Sequence, residues 1–295
     1  ETGPQKWDTL RVPRLPKWLR NRLNDAWGAD ILAAIEKAHF AGAPLDLTSR
    51  ATDFTLPDAT VLPTGSLRIT GSPQVSALPG YDDGSWWVQD AAAAIAARAL
   101  NVQAGEVVAD LCAAPGGKTL QLAAAGAEVT AVDSATLRLA TLEENLARTG
   151  LTAKVVEADV LSLSGQYDAI LLDAPCSATG TIRRHPDLPH VRDGSGLSDL
   201  TRLQGRMLDH AWTLLKPGGR MVFCTCSLLP IEGEAQILTA LTRHSDMQTD
   251  PDALALPGID PSWVNPKIGL RLRPDYWADI GGMDGFFIAA LRKSD

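Results

Sequence analysis

"EVVADLCAAPGGKTLQLAAAGAEVTAVD" occupies residues 106–133. It opens on an apolar run, turns through Pro115-Gly116-Gly117, continues in helix-forming residues and closes on a second apolar run that ends at Asp133. Short apolar runs bounded by turn residues read as buried strands, and the stretch between them has the length of one helix. Strands joined by such a crossover run parallel, and a parallel sheet is covered on both faces. The unit therefore predicts a doubly wound α/β domain.

The alternation continues downstream. "SATLRLATLEENLARTG" (134–150) places Leu139, Leu142 and Leu146 on one helical face, sets Glu144 to pair with Arg148 and offers Gly150 as a stop. "AKVVEAD" (153–159) and "YDAILLDAP" (167–175) are expected strands. "LSDLTRLQGRMLDHAWTLLKPGG" (197–219) is an amphipathic helix that Pro217-Gly218-Gly219 should end, followed by strands in "RMVFCTCS" (220–227) and "GFFIAALRK" (285–293). Upstream, "GSWWVQDAAAAIAARALN" (84–101) reads as an alanine-rich helix leading into this domain. Earlier residues differ: basic residues, tryptophans, a helical segment at 29–42 and proline-rich turns around Pro57, Pro63 and Pro73 suggest a small mixed α+β accessory region. The expected division is 1–80 and 81–295.

The 295 residues are 45% hydrophobic and 21% charged, within the range of a globular protein, and no apolar run is long enough to cross a bilayer. A formal charge of −8 argues against a protein that coats nucleic acid by overall charge, but leaves room for a local basic surface. No signal peptide opens the sequence, and because it begins at Glu1 rather than Met a fragment or processed chain is expected, with the presence of an upstream domain left open. Four cysteines, Cys112, Cys176, Cys224 and Cys226, are too few for a secreted disulfide scaffold and point to a reducing, cytoplasmic setting.

In such sheets, ligands bind at the carboxyl ends of the strands. There lie Asp110-Leu-Cys-Ala, Asp133, Asp159, Asp173-Ala-Pro-Cys176 and Cys224-Thr-Cys226, which should share one rim. "DLCAAPGGKT" (110–119) is not a phosphate loop, because Cys112 stands where that motif needs glycine, and the dinucleotide fingerprint is absent too. Asp133 is placed to accept from ribose hydroxyls and Asp159 from an adenine amino group; singly, each aspartate reads equally well as a turn or helix cap. Three consecutive strand-end acids favour a nucleoside ligand, and a glycine turn without a phosphate grip suits the amino-acid end of S-adenosylmethionine. No metal site is expected, since neither Cys-x-x-Cys pairs nor histidines at ligand spacing occur.

Five segments then resemble, in order, the motifs of the RNA cytosine-5 methyltransferases, above all the bacterial RsmB or Sun-like group: "ADLCAAPGGKT" (109–119), "AVDSATLRLATLEENLARTG" (131–150), "LLDAPCSATGTIRRHPD" (171–187), "CTCSLLPIEGE" (224–234) and "GMDGFFIAALRK" (282–293). The resemblance spans roughly residues 15–293 and implies a Rossmann-like methyltransferase domain that uses S-adenosylmethionine. It carries Cys112, Ala113, Ala114, Pro115, Gly116, Gly117, Lys118, Asp133, Asp159 and Asp173 over as cofactor positions. It makes Cys226 the nucleophile and gives Cys176 a role in product release. Ala178 stands where the family usually has glycine, Cys224 replaces a residue that is more often serine or tyrosine, and "LPHVRDGSGLSD" (188–199) is less typical. Members of this group often carry an upstream NusB-like RNA-binding domain.

The chemistry calls for these residue types. Carbon 5 of cytosine is a poor nucleophile until a thiolate adds at carbon 6 and leaves enamine density on carbon 5. Nearby positive charge, from the cofactor, Lys118 or Arg183, favours the thiolate, and Asp173 can hydrogen-bond the pyrimidine's nitrogen edge as the ring is attacked. DNA cytosine-5 methyltransferases take their nucleophile from a Pro-Cys pair, which Pro175-Cys176 would match, but they lack a counterpart of "TCS". Cys112 and Cys224 are expected to pack as small apolar residues. RNA contacts are expected from Arg183, Arg184 and His185. The basic set Arg11, Arg14, Lys17, Arg20 and Arg22 reads equally as an RNA surface or a solvated face. The expected protein is a monomer that methylates RNA, ribosomal RNA first, with transfer RNA or a catalytically silent RNA-binding module as alternatives.

Overall fold

The computed structural model describes residues 11–51, 53–71 and 73–295. Two helices come first, α1 (Lys17–Trp27) and α2 (Ala29–Ala41), with Gly28 between them at φ 82°. Leu19, Leu23, Leu32 and Ile35 bury their apolar faces against Ile182, Leu197, Leu228 and Leu229 of the main domain. Next comes a four-stranded antiparallel sheet of β1 (Leu45–Ser49), β2 (Ala59–Val61), β3 (Leu67–Ile69) and β4 (Trp86–Val88), in the order β2-β3-β1-β4.

Here the structure corrects the sequence reading. The two tryptophans do not begin the alanine helix: β4 pairs Trp87 with Thr48, and only then does Asp90 cap α3 (Ala91–Leu100) by accepting from the Ala92 N–H at 2.9 Å. Large aromatic side chains favour a pleated, half-buried surface, and an aspartate at the N-cap starts the helix late. The accessory sheet thus reaches past residue 80.

The main domain follows: β5 (Val107–Leu111), α4 (Gly117–Ala124), β6 (Glu128–Asp133), α5 (Thr136–Thr149), β7 (Lys154–Glu157), β8 (Tyr167–Asp173), the short α6 (Leu188–Val191), α7 (Leu197–Thr213), β9 (Leu215–Thr225) and α8 (Glu234–Arg243). Four small or terminal strands complete it: β10 (Met247–Thr249), β11 (Val264–Asn265), β12 (Gly269–Leu272) and β13 (Phe286–Lys293). The large sheet runs β11-β12-β13-β9-β8-β5-β6-β7, with β10 on β13. Strands β7, β6, β5, β8 and β9 are parallel, whereas β13 is antiparallel to β9 and brings in the remaining small strands. This is the expected Rossmann-like sheet, mostly parallel and covered on both faces.

Two apolar layers sandwich it. One packs Met207, Leu208, Ala211 and Trp212 of α7 against Ile170, Leu172 and Phe223; the other packs Ile95, Ala96 and Ala99 of α3 against Val108, Leu171 and Val222. A second difference lies at Pro217-Gly218-Gly219. The helix ends earlier, at Thr213, and these residues belong to β9, which starts at Leu215. Gly218 has φ 70°, a conformation in which glycine carries no Cβ penalty.

Candidate active site

The loop between β5 and α4 forms the floor of a cleft of about 360 Å³. Cys112, Ala113, Ala114, Pro115, Gly117 and Lys118 line it, together with Asp110 and Asp173. Gly116 sits at φ 107°, and a Cβ there would press on Leu142 at 3.0 Å, so the turn needs glycine. Trp87, Gln89 and Asp90 close the opposite wall, so the strand and cap that precede α3 shape the cleft.

Asp110, next to the last residue of β5, is fully buried. Its Oδ2 accepts from Thr119 Oγ1 at 2.6 Å, while Oδ1 has no hydrogen-bond partner among the described residues. Burial pushes its pKa up to about 7. An unpartnered carboxylate oxygen inside a cleft is costly without a donor, and a cationic ligand group would supply one. Lys118 reaches across to Asp173, with Nζ to Oδ2 at 2.7 Å. Burial opposes the lysine's charge, but Asp173 outweighs it and holds the ammonium firmly protonated. Burial raises the Cys112 thiol far above its ordinary range, and Cys224, buried with Sγ 3.5 Å from Asp173 Oδ1, is raised for the same reason. Neither sulfur is suited to be a thiolate.

The other two cysteines are brought together. Cys176 follows β8 and Cys226 follows β9, parallel neighbours in the sheet, and their Sγ atoms lie 3.5 Å apart. The hydrogen bond to Cys226, and then burial, raise the Cys176 thiol well above its usual value. At that distance one sulfur can donate an S–H to the other, so the two act as a pair. Backbone bonds fix the two loops to each other: the Ala174 N–H donates to the Cys224 carbonyl at 3.0 Å and the Gly180 N–H to the Cys226 carbonyl at 3.0 Å.

Sequence reasoning passed over the residue that ties these loops. Glu232 is fully buried. Its Oε1 accepts from the Ser177 N–H at 2.8 Å and Gln204 Nε2 at 3.1 Å, and its Oε2 accepts from Ser227 Oγ at 2.6 Å and from Ser177 Oγ. Ser177 and Ser227 each follow one of the two cysteines, so a single carboxylate holds both loops. Its only sequence signal was a charged residue beside Ile231 in "LLPIEGE"; Ser227 is five positions away, but Gln204 and Ser177 lie 28 and 55 positions away.

Other expected positions fall elsewhere. Asp133 is buried, with Oδ2 accepting from the Ala114 N–H at 3.1 Å and Oδ1 from the Ala135 N–H at 3.0 Å, so it braces the glycine loop. Asp159 is exposed and caps a turn by accepting from the Leu161 N–H at 2.9 Å. Neither lines the cleft.

The RNA reading of Arg183 needs correction. It is 5% exposed and bonded to Asp90 at 2.6 Å and Asp284 at 2.8 Å. Its guanidinium joins the start of α3 to the loop before β13, leaving it nothing to offer a phosphate. Arg184 also pairs with Asp284 but is partly exposed at the cleft, and His185 is exposed. In the basic N-terminal set, Arg20 is paired with Glu36 at 3.1 Å, and Arg22 Nη1 donates to the Trp18 carbonyl at 2.6 Å. Among the described residues, no group of histidine, cysteine or acidic side chains could hold a metal ion, and no helix is long and apolar enough to cross a membrane.

Residues 97–292 match the family model described as 16S rRNA methyltransferase RsmB/F. The chain belongs to this family. Its curated relatives include proteins named ribosomal RNA small subunit methyltransferase B. That of Shewanella oneidensis is 36% identical over 288 residues, covering 95% of this chain and 61% of its own length. That of Salmonella arizonae is 43% identical over 304 residues, covering 98% of this chain and 63% of its own. The chain thus spans about three-fifths of these relatives. Among solved structures, a methyltransferase homologue from Pyrococcus horikoshii is 29% identical with a TM-score of 0.79, covering 99% of this chain and all of that one. NSun6 from Pyrococcus horikoshii, solved with SFG, shares the fold at 20% identity and a TM-score of 0.81, covering 97% of this chain and 100% of its own.

Proposed function

We propose that this chain transfers a methyl group from S-adenosylmethionine to carbon 5 of a cytosine in ribosomal RNA, through a transient bond between Cys226 Sγ and carbon 6 of the ring. The observation that carries this reading is the 3.5 Å approach of Cys226 to Cys176 beside the Asp173–Lys118 pair, in a family of 16S rRNA methyltransferases. The two sulfurs divide the work. Cys226 is assigned as the nucleophile from its place in the Thr-Cys-Ser segment at the end of β9, with the Cys176 sulfur 3.5 Å away as its partner. Once carbon 5 carries the methyl group, a base such as water takes its proton, the carbon 5–carbon 6 double bond re-forms and the Cys226–carbon 6 bond breaks with its electron pair returning to sulfur. Cys176, 3.5 Å away, is placed to donate its S–H to that departing sulfur.

The residues of the cleft fit the cofactor. Asp110 Oδ1 is an acceptor without a partner, suited to the ammonium of its amino-acid end, and the turn at Gly116-Gly117 leaves the backbone bare for close approach. When bound, S-adenosylmethionine supplies an electrophilic methyl group on a sulfonium. Asp133 holds the loop that would wrap it, and Asp159 offers its outer carboxylate oxygen at the next strand end. Asp173, braced by Lys118, is set to accept from the pyrimidine's amino edge, which orients the ring over Cys226. The helices and sheet before residue 89 are read as an accessory RNA-docking unit, and Arg184 and His185 as its neighbours at the rim.

Replacing Cys226 with alanine tests the proposal. Methyl transfer from tritiated cofactor to ribosomal RNA should fall by roughly three orders of magnitude or more, as when other enzymes lose their nucleophile. Cofactor binding, followed by calorimetry, should persist. Normal turnover in that variant would overturn the assignment. Serine at Cys176 should leave RNA trapped on the protein as a band resistant to denaturation.

A further inference from the structure

Trp87 lines the cofactor cleft on one side and a second cavity, of about 510 Å³, on the other. The accessory sheet supplies Thr48 and Arg50 at the end of β1 and Thr64 in the β2–β3 turn, and the last turn of α3 supplies Arg98 and, beyond it, Asn101. Six buried side-chain polar atoms lack a partner among the described residues, and three of them line this one cavity: Thr48 Oγ1, Thr64 Oγ1 and Arg98 Nη1. Thr48 is only 4% exposed. Buried polar groups are almost always satisfied, so such a concentration calls for a common partner.

Arg98 is the odd member of its class. The residue is half-buried with its Nη1 fully buried, whereas the buried arginines each hold a carboxylate: Arg68 with Asp46, Arg183 with Asp90 and Asp284, and Arg271 with Glu234. Arg98 makes no ion pair among the described residues, and its one side-chain bond is a long contact from Nη2 to Ser66 Oγ at 3.4 Å. Burial without a counter-charge pulls its pKa down. Among the described residues no aspartate or glutamate lines the cavity, although the chain as a whole is acidic. Arg98 also borders a neighbouring cleft with Asp250 and Asp252, but Asp250 is bound to Arg292 at 2.9 Å. At the cavity wall, Arg50 is oriented by a bond from Nη1 to the Thr149 carbonyl at 2.9 Å.

We propose that this cavity is an oxyanion site, which binds a phosphate group between the Arg98 guanidinium and the hydroxyls of Thr48 and Thr64, with Arg50 at its side. A guanidinium and two hydroxyls provide charge-assisted and neutral donors on different sides of one small anion. The phosphate is either free, as inorganic phosphate or a nucleotide's terminal group, or part of an RNA backbone. Because the accessory sheet and α3 both contribute, an anion here also fastens the two together.

The test uses the whole chain with inorganic phosphate at constant ionic strength, Arg98→Gln and Thr48→Val as variants, and melting temperature and calorimetry as readouts. Phosphate should raise the melting temperature saturably in the wild-type chain and bind about tenfold or more weakly in Arg98→Gln. Thr48→Val, which keeps shape and removes the hydroxyl, should weaken binding severalfold and decides the matter if Arg98→Gln does not fold. A fluorescent single-stranded RNA then separates the sources. If the backbone occupies the site, Arg98→Gln lowers RNA affinity and reduces the slope of log affinity against log salt by about one, and phosphate competes. If RNA binding is unchanged while phosphate binding is lost, the site takes free phosphate. The proposal is overturned if phosphate has no saturable effect and RNA binding is indifferent to Arg98, or if both variants bind phosphate as the wild type does. The RNA arm rests on the proposed function; a wild-type chain that ignores RNA counts against that function and leaves the phosphate arm to judge the site.

Discussion

Glu232 and Asp110 are both fully buried carboxylates near strand ends of one sheet, yet their surroundings are opposites. Glu232 accepts from two serine hydroxyls, a backbone N–H and an amide, so both of its oxygens are satisfied within the protein. Asp110, in the lining of the cleft, has one hydroxyl partner and one oxygen without a partner among the described residues. The first group is finished by the fold; the second is finished only by a ligand. The same division separates Arg183, ion-paired twice, from Arg98, which has no ion pair among the described residues and one long bond to Ser66. Satisfied buried groups build the molecule, and unsatisfied ones mark where something binds.

The contrast can be broken at four places. Removing Arg183 has the largest expected effect. Arg183→Ala strands buried Asp90 without its cation and leaves Asp284 to Arg184 alone, at a cost of about 3–5 kcal/mol, and unfolding in urea should show it. Glu232→Ala leaves several donors of both cysteine loops without an acceptor, which costs about 3 kcal/mol and lowers the melting temperature by roughly 6–12 °C. Methyl transfer should fall further than stability alone explains, because Cys176 and Cys226 lose their common anchor. A drop in activity that merely tracks the unfolded fraction would contradict that.

Asp110 sharpens the comparison from the other side. Its folded pKa, about 7, lies above the value of an unfolded carboxylate. Between those values the native state binds the extra proton, so this group makes the ligand-free chain less stable as pH rises from about 4 to 7. Cofactor affinity should move the other way, rising with pH through about 7 as Asp110 ionises. Asp110→Asn should abolish that pH dependence and weaken binding about tenfold, with folding little changed or improved. Ala178→Gly is the smallest: Ala178 holds φ 56° in the loop after Cys176, and glycine there should change stability by less than about 1 kcal/mol.

Much of this was legible before any coordinates. Apolar periodicity located the parallel strands and helices α4, α5 and α7, and the order of motifs placed Cys112, Asp173, Cys176 and Cys226 at strand ends. Periodicity fails where one residue type serves two elements. Trp86 and Trp87 looked like the start of an alanine helix, but pairing with β1 claimed them. Proline and two glycines looked like a stop after α7, yet they open β9. Charge was read least well. Arg183 beside "DAPCS" looked like an RNA contact because its sequence neighbours are at the rim. Its carboxylate partners lie 93 and 101 positions away, where no local pattern reports them. Glu232 escaped notice for the same reason.

Strand β13 lies between β9 and β12, although it comes after both in the chain. A ribosome making this protein therefore finishes β9, with the loop that carries Cys226, well before the strand that covers its flank. During that interval Val222, Phe223 and Cys224 sit on an open edge, prone to pair with another chain. The register sets Phe287 beside Thr225, so the flank of the strand that leads to Cys226 is completed last, by Phe286–Lys293. Truncation anywhere ahead of that segment yields a sticky intermediate in place of a slower catalyst.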